Sequence, residues 1–310
     1  MIRRRERQGR FIKHCPCTPG AVACGYFNLN LHTGCPFACS YCILQTYLES
    51  KQPVFFSNFC DLEKELEKIA GREKHLRLGT GELSDSLAFE NQAPTAGRLV
   101  SLFERFPQAI FEFKTKSDRV ENLLRLVGDK RAPANIVVSW SLNPQTVINR
   151  EEHGSASLQQ RLNAMAQVLE RGYRVGIHFD PLILFPGWQT HYRGLLTQLR
   201  RTVRPERIAW WSLGALRFPP ALKERIFQFR QSRLFWGELV IGFDGKYRYF
   251  RPLRLELMRF IIQEINQIFS AEIPLYLCME EEETWRELLP GRAADEANVN
   301  RYLYQAAFRR

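Results

Sequence analysis

An α/β fold built on a parallel sheet is predicted for this 310-residue chain by two observations. Short β-rich runs alternate with amphipathic helical patterns over most of the length, the signature of βα units. From about residue 236 the alternation stops, and two alternating runs flank Asp244-Gly245, a strong hairpin signal.

The β-like runs are YFNLNLH (26–32), LRLGTGEL (76–83), IFEFKTK (110–116), NIVVSWSLN (135–143), RVGIHFDPLI (174–183) and RIAWWSLGAL (207–216). Helical patterns lie between them. In SASLQQRLNAMAQVLERGY, Leu158, Leu162, Met165, Val168 and Leu169 share one face, and Ser155 or Ser157 is placed to cap the start. Six such units fit a partial barrel with its site at the C-terminal strand ends. A doubly wound open sheet fits the periodicity nearly as well. The organisation expected is a basic, cysteine-containing segment 1–25, an α/β unit 26–235, and a hairpin-and-helix extension 236–310 packed on that unit.

Hydrophobic residues make up 45% and charged residues 25% of the chain, enough for an ordinary globular core. Runs such as RVGIHFDPLILF are too short to span a bilayer, and no hydrophobic segment follows the basic start MIRRRERQGRF. A cytoplasmic protein without membrane contact is expected. The formal net charge of +11 favours a polyanionic partner, since Lys and Arg that neutralise phosphates release counterions.

Six of the eight cysteines lie between positions 15 and 42. In a cytosolic chain of this size, clustered cysteines point to metal binding or redox chemistry. Cys35, Cys39 and Cys42 follow the first β-like run within CPFACSYCILQTYL. A structural zinc site usually closes four ligands, and a 4Fe–4S cluster ordinarily takes four thiolates. Three thiolates leave one iron with an open position, where a small molecule can bind and receive an electron.

C-x-x-x-C-x-x-C at the end of a first strand resembles the signature of the radical S-adenosylmethionine (SAM) superfamily. The stretches GCPFACSYCILQTYL, GTGELSDSLAFE, FKTKSDRVENLL, VVSWSLN, GYRVGIHFDPLI and PGWQTHYRGLL together resemble the spore photoproduct lyase-like family, over roughly residues 10 to 270. The resemblance implies a partial (β/α)6 barrel of the TIM type with a C-terminal hairpin and helix extension. It implies a 4Fe–4S cluster on Cys35, Cys39 and Cys42, with SAM on the fourth iron. SAM contacts are implied for Gly79, Thr80, Gly81 and Glu82 of GTGE and for Lys116 and Ser141; Asp180, at the same level of the fifth strand, is a further candidate for ribose or substrate. The activity implied is lyase-like: a 5′-deoxyadenosyl radical abstracts hydrogen from nucleic acid, in DNA repair or modification. An electron donor of flavodoxin or ferredoxin type is expected with it.

The chain departs from the lyases at two places. The cysteine that donates hydrogen near the second strand of the lyases has no counterpart in GTGELSDS. Of the two tyrosines that flank the third cluster cysteine there, Tyr41 is kept and the second is Ile43. Tyr41 is therefore the one candidate relay residue. Cys15, Cys17 and Cys24 in HCPCTPGAVACGY are candidates for a second metal or a redox thiol, with ordinary packing the more common fate of such residues. Around the expected hairpin, Lys246, Tyr247, Arg248, Tyr249, Arg251 and Arg254 interleave cations with aromatics, which suits phosphate contact and base stacking. Two other readings stay open from sequence: a radical SAM enzyme acting on a peptide or small metabolite, and a non-catalytic nucleic-acid-binding metal protein.

Overall fold

The computed structural model describes residues 2–48, 52–128, 130–229, 232, 234, 238–242, 244–269 and 274–309. Six strands pair in sequence order, all parallel: β1 (Tyr26–Leu29), β2 (Arg77–Thr80), β3 (Ile110–Thr115), β4 (Ile136–Ser141), β5 (Arg174–Leu182) and β6 (Ile208–Ala215). Helices follow each strand: α1 (Leu44–Tyr47) and α2 (Phe59–Ala70), α3 (Ala96–Glu104), α4 (Glu121–Val127), α5 (Gln145–Glu151) and α6 (Leu158–Glu170), α7 (Trp188–Thr202), and α8 (Pro220–Phe229). This is the partial barrel, in the unbroken 1-to-6 order that periodicity alone left undecided.

Each barrel strand is buried on both faces, as parallel strands covered by helices must be. The two faces differ in chemistry. On β3, Phe111 and Phe113 point outward, and Phe111 stacks on Phe103 of α3 with ring centroids 4.3 Å apart. Glu112 and Lys114 alternate with them and face the lumen. Trp211 of β6 likewise packs outward on Phe269, while Trp210 points inward and donates to Glu112. Ser157 caps α6 in a full capping box with Gln160, worth about 1 kcal/mol.

The expected hairpin forms from β7 (Leu239–Ile241) and β8 (Tyr247–Tyr249). Phe243, in its turn, lies outside the described residues. Gly245 takes φ 71° there, a conformation cheap only for glycine. β8 also pairs with Arg217–Phe218, just after β6, which ties the hairpin to the barrel rim. α9 (Arg251–Phe269) packs on α7, and β9 (Leu275–Leu277) extends the sheet beyond β6 in parallel. α10 (Glu282–Leu288) and α11 (Glu296–Phe308) complete the chain. A short strand, Ile12–His14, closes the opposite edge against β1. No helix among the described residues is long and apolar enough to cross a membrane.

Candidate active site

A cavity of about 510 Å³ opens at the C-terminal ends of the barrel strands, within the range of small-molecule sites. Gly81 and Glu82 after β2, Lys114 near the end of β3, Asp180 on β5 and Arg217 after β6 line it. Cys42 and Tyr41 of the cysteine loop close one wall, and Lys246 of the hairpin reaches the same space.

The cysteine loop is held by backbone. Ala38–Cys39 pairs with Glu152–His153, Ser40 N donates to Glu151 O, and Cys42 N donates to Cys39 O. Cys39 is buried, and Cys35 and Cys42 are half-buried. Backbone hydrogen bonding by Phe37 and Asp85 favours the Cys35 thiolate, and by Leu44 that of Cys42. Burial pushes all three thiols up from their ordinary values, and each of Cys35 and Cys39 also feels its neighbouring thiols. Hydrogen bonds and charges around thiolate ligands tune a bound cluster. Lys116 supplies a cation: its charge favours the thiolates of Cys39 and Cys42, and its Nζ lies 5.8 Å from the Tyr41 ring centroid. Among the described residues no three His, Cys, Asp or Glu side chains converge on one metal ion. Three thiolates on one short loop suit a multi-iron cluster, in which each thiolate would take its own iron, better than a structural zinc site, which closes four ligands.

The GTGE motif divides. Gly79 faces Tyr26 Oη and the Glu112 carbonyl so closely that a Cβ has no room. Thr80 Oγ1 donates to Ser86 Oγ at 2.7 Å. These two residues pack the barrel beneath the cavity. Gly81, at φ 110°, and Glu82 line it. Burial raises the Glu82 carboxyl above its ordinary value, opposed by Lys114 and Lys13, and it accepts no hydrogen bond among the described residues. Asn28 Nδ2, on β1 in the same cavity, is buried without a partner among the described residues. An open carboxylate and an orphaned amide donor fit the ammonium and carboxylate of an amino-acid ligand such as SAM. Ser141, by contrast, is outside the cavity lining; its carbonyl accepts from Arg161 at 2.8 Å. Asp180 is held by Arg217 through two bonds of 3.1 and 3.2 Å.

Tyr41 lines the cavity, but its hydroxyl donates to Glu152 Oε1. Glu152 also binds Arg161 at 2.5 Å and Asn143 at 2.9 Å. Burial works against its charge, yet Arg161 and then Lys116 hold the carboxyl at about 2.

The hairpin corrects part of the reading from sequence. Arg248 is buried, bound to Asp244 at 2.8 Å and to the Met279 carbonyl at 3.0 Å. Tyr249 is buried and accepts from Leu184 N. Both brace the rim and are not presented to nucleic acid. Arg251 pairs with Glu283 and Glu287 of α10. Tyr247 stacks on Phe218 with centroids 5.5 Å apart. Lys246 alone of the six lines the cavity, with Nζ 3.0 Å from Thr18 Oγ1.

A buried network on the lumen face escaped the sequence reading. Glu112 accepts from Tyr26 at 2.5 Å, His178 Nε2 at 2.8 Å, Trp210 at 3.1 Å and also Ser139. Burial opposes its charge, but His178 above all holds the carboxyl well below the usual range. The alternation of Phe111, Glu112, Phe113 and Lys114 was the available signal, since it puts both charges on one strand face. Cys15, Cys17, Cys24 and Cys278 also line the cavity.

A family model described as spore photoproduct lyase matches residues 19–228. The chain belongs to the spore photoproduct lyase family. Spore photoproduct lyase of Clostridium acetobutylicum is 25% identical over 271 residues, covering 84% of this chain and 78% of that protein. The Bacillus subtilis lyase is 27% identical over 175 residues, so this chain spans about half (48%) of that relative. A solved spore photoproduct lyase complexed with dinucleoside spore photoproduct superposes with a TM-score of 0.76 at 25% identity, over 89% of this chain and 81% of the other. A substituted lyase with bound AdoMet and dinucleoside spore photoproduct gives 0.74 at 25% identity, over 90% and 82%. SuiB of Streptococcus suis bound to its precursor peptide shares the fold alone, at 13% identity, a TM-score of 0.53, and 82% and 48% coverage. The family is one of radical SAM lyases, and the partial-barrel architecture read from sequence is the one these structures have.

Proposed function

We propose that the chain is a radical SAM enzyme that acts on nucleic acid, in the repair or modification of a DNA lesion of the spore photoproduct class. One observation carries this reading: a three-cysteine loop, with Cys42 in the lining, forms one wall of a cavity that also holds the open carboxylate of Glu82. Cys35, Cys39 and Cys42 would hold a 4Fe–4S cluster, and Glu82, Gly81 and Asn28 the amino-acid end of SAM. The bound pair supplies one-electron cleavage of the sulfonium, the source of a deoxyadenosyl radical. The residues of the chain orient and enclose. Lys116 offsets the negative charge of the cluster loop, and Glu112 fixes the lumen so that ligand and substrate meet in one geometry. The Asp180–Arg217 pair sets the polarity of the far wall, and Lys246 stands where a phosphate would enter.

Gly79, Thr80 and Ser141 support the site from beneath. Tyr41, with its hydroxyl committed to Glu152, positions the cysteine loop. Residues 1–25 and 236–310 flank the barrel unit, and reduction would come from a flavodoxin- or ferredoxin-type donor.

The test is anaerobic reconstitution with iron and sulfide, then reduction in the presence of SAM and dinucleoside, duplex or RNA substrates. Loss of a dinucleoside spore photoproduct in step with deoxyadenosine release is expected. Deoxyadenosine release with every nucleic-acid substrate unchanged would overturn the substrate assignment.

A further inference from the structure

A dense run of cations lies not in the cavity but beside it. Residues 3–13 contain Arg3, Arg4, Arg5, Arg7, Arg10 and Lys13 against a single Glu6. Arg3–Arg5 is an exposed edge strand, parallel to Val54–Phe56. Two of its guanidinium groups are placed, Arg4 over the Phe55 ring at 5.9 Å and Arg5 over Phe56 at 5.5 Å, and just after the strand Arg7 lies over Phe56 at 4.7 Å. Successive side chains of a strand alternate, so the edge carries cations on both sides.

Several cations elsewhere are matched. Arg193 pairs with Glu264, Arg251 and Arg259 with Glu287, Arg254 with Glu280, and Arg286 with Glu282. Among the described residues, Arg3, Arg4, Arg5, Arg10 and Lys13 form no ion pair. The chain then leads from this edge into the site. Lys13 pairs in register with Asn28 and is near enough to Glu82 to lower it, and Cys15 and Cys17 line the cavity. The other edge of the same small sheet, His32–Thr33, runs directly into the cysteine loop.

We propose that this N-terminal arm is a phosphate-backbone track that seats a nucleic-acid strand alongside the cavity mouth, with Arg3, Arg4 and Arg5 as its main contacts. The proposal rests on the nucleic-acid reading above and adds the surface that delivers the substrate. Aromatic-stacked guanidiniums lose little freedom on binding and present planar donors to phosphate. Neutralising each phosphate releases counterions, so every contact contributes about 0.9 to the salt dependence of binding to duplex DNA.

The experiment measures affinity of the full chain for a short fluorescent duplex across a salt series. The proteins compared are the wild type, Arg3→Gln/Arg4→Gln/Arg5→Gln, its Arg→Lys counterpart, and Arg200→Gln/Arg201→Gln/Arg204→Gln. The last removes equal charge from exposed positions at the opposite end of the barrel. The arm variant is expected to lose about 2.7 from the slope of log affinity against log salt, and on the order of 100-fold in affinity near 0.1 M salt. The lysine variant should keep most of the slope, and the control should match the wild type. A slope and affinity shared by arm variant and control would overturn the track while leaving nucleic-acid binding intact. Absence of duplex and single-strand binding by the wild type would overturn the substrate reading as well. Tighter binding to phosphatidylserine vesicles than to DNA would reassign the arm to a membrane surface and overturn the proposal.

Discussion

His178 Nε2 on β5 lies 2.8 Å from Glu112 Oε1 on β3, across the barrel lumen at the lining of the cavity. Both side chains are nearly inaccessible. The carboxylate is also the acceptor for Tyr26, Ser139 and Trp210, so one buried anion joins β1, β3, β4, β5 and β6. A buried charge with this many partners is costly to leave incomplete.

Glu112→Ala is therefore expected to cost about 3–5 kcal/mol, because it strands four donors in the lumen. Glu112→Gln, which keeps the shape and part of the bonding, should cost less. Urea unfolding midpoints check this; an unchanged midpoint in the alanine variant would contradict the network's role.

Glu152 gives a pH dependence of definite sign. Its folded carboxyl sits at about 2, below an unfolded value of about 4.3. The stabilisation is thus fully present above about 4.3 and is lost as pH falls toward 2. The stability gap between the wild type and Glu152→Gln should be widest near neutrality and narrow through this window. Thermal melts between pH 5 and pH 2.5 report it, and a gap that widens on acidification would be the opposite result.

Gly79→Ala is expected to be among the most damaging small substitutions. The added methyl meets Tyr26 Oη and the Glu112 carbonyl, the second of which is backbone and yields little. A loss of at least about 3 kcal/mol, or no soluble protein, is expected. Gly245→Ala, in an open turn at positive φ, should cost only about 1 kcal/mol.

Much of this was legible in the sequence, and what was missed has a physical reason. The six β-rich runs and the Asp244-Gly245 turn reflect local preferences, and all of them form. Cys35, Cys39 and Cys42 are legible because one short loop carries all three thiols. The Glu112 network was hidden because it joins five separate strands, and its members meet only once the barrel closes. Arg248 misled for a related reason. The pattern showed a cation between aromatics, but not that Asp244 four residues earlier claims it. Gly79 and Thr80 were read for the cavity because the motif is continuous, whereas β2 ends at Thr80, so the first half stays in the barrel wall and the second half enters the cavity.

The cysteines separate by role. Alanine at Cys35, Cys39 or Cys42 should abolish iron retention and the broad visible absorption of the reconstituted protein. Cys15→Ala and Cys278→Ala, in the cavity but outside the loop, should retain both. Iron quantitation on the purified proteins decides it; iron lost equally from Cys15→Ala would redraw the ligand set.

The most direct test of the central claim is deoxyadenosine release by the reconstituted, reduced protein given SAM. The wild type is expected to release it and Cys42→Ala, at the one of the three loop cysteines that lines the cavity, to release none. No deoxyadenosine from a wild-type protein with its iron bound would contradict the account.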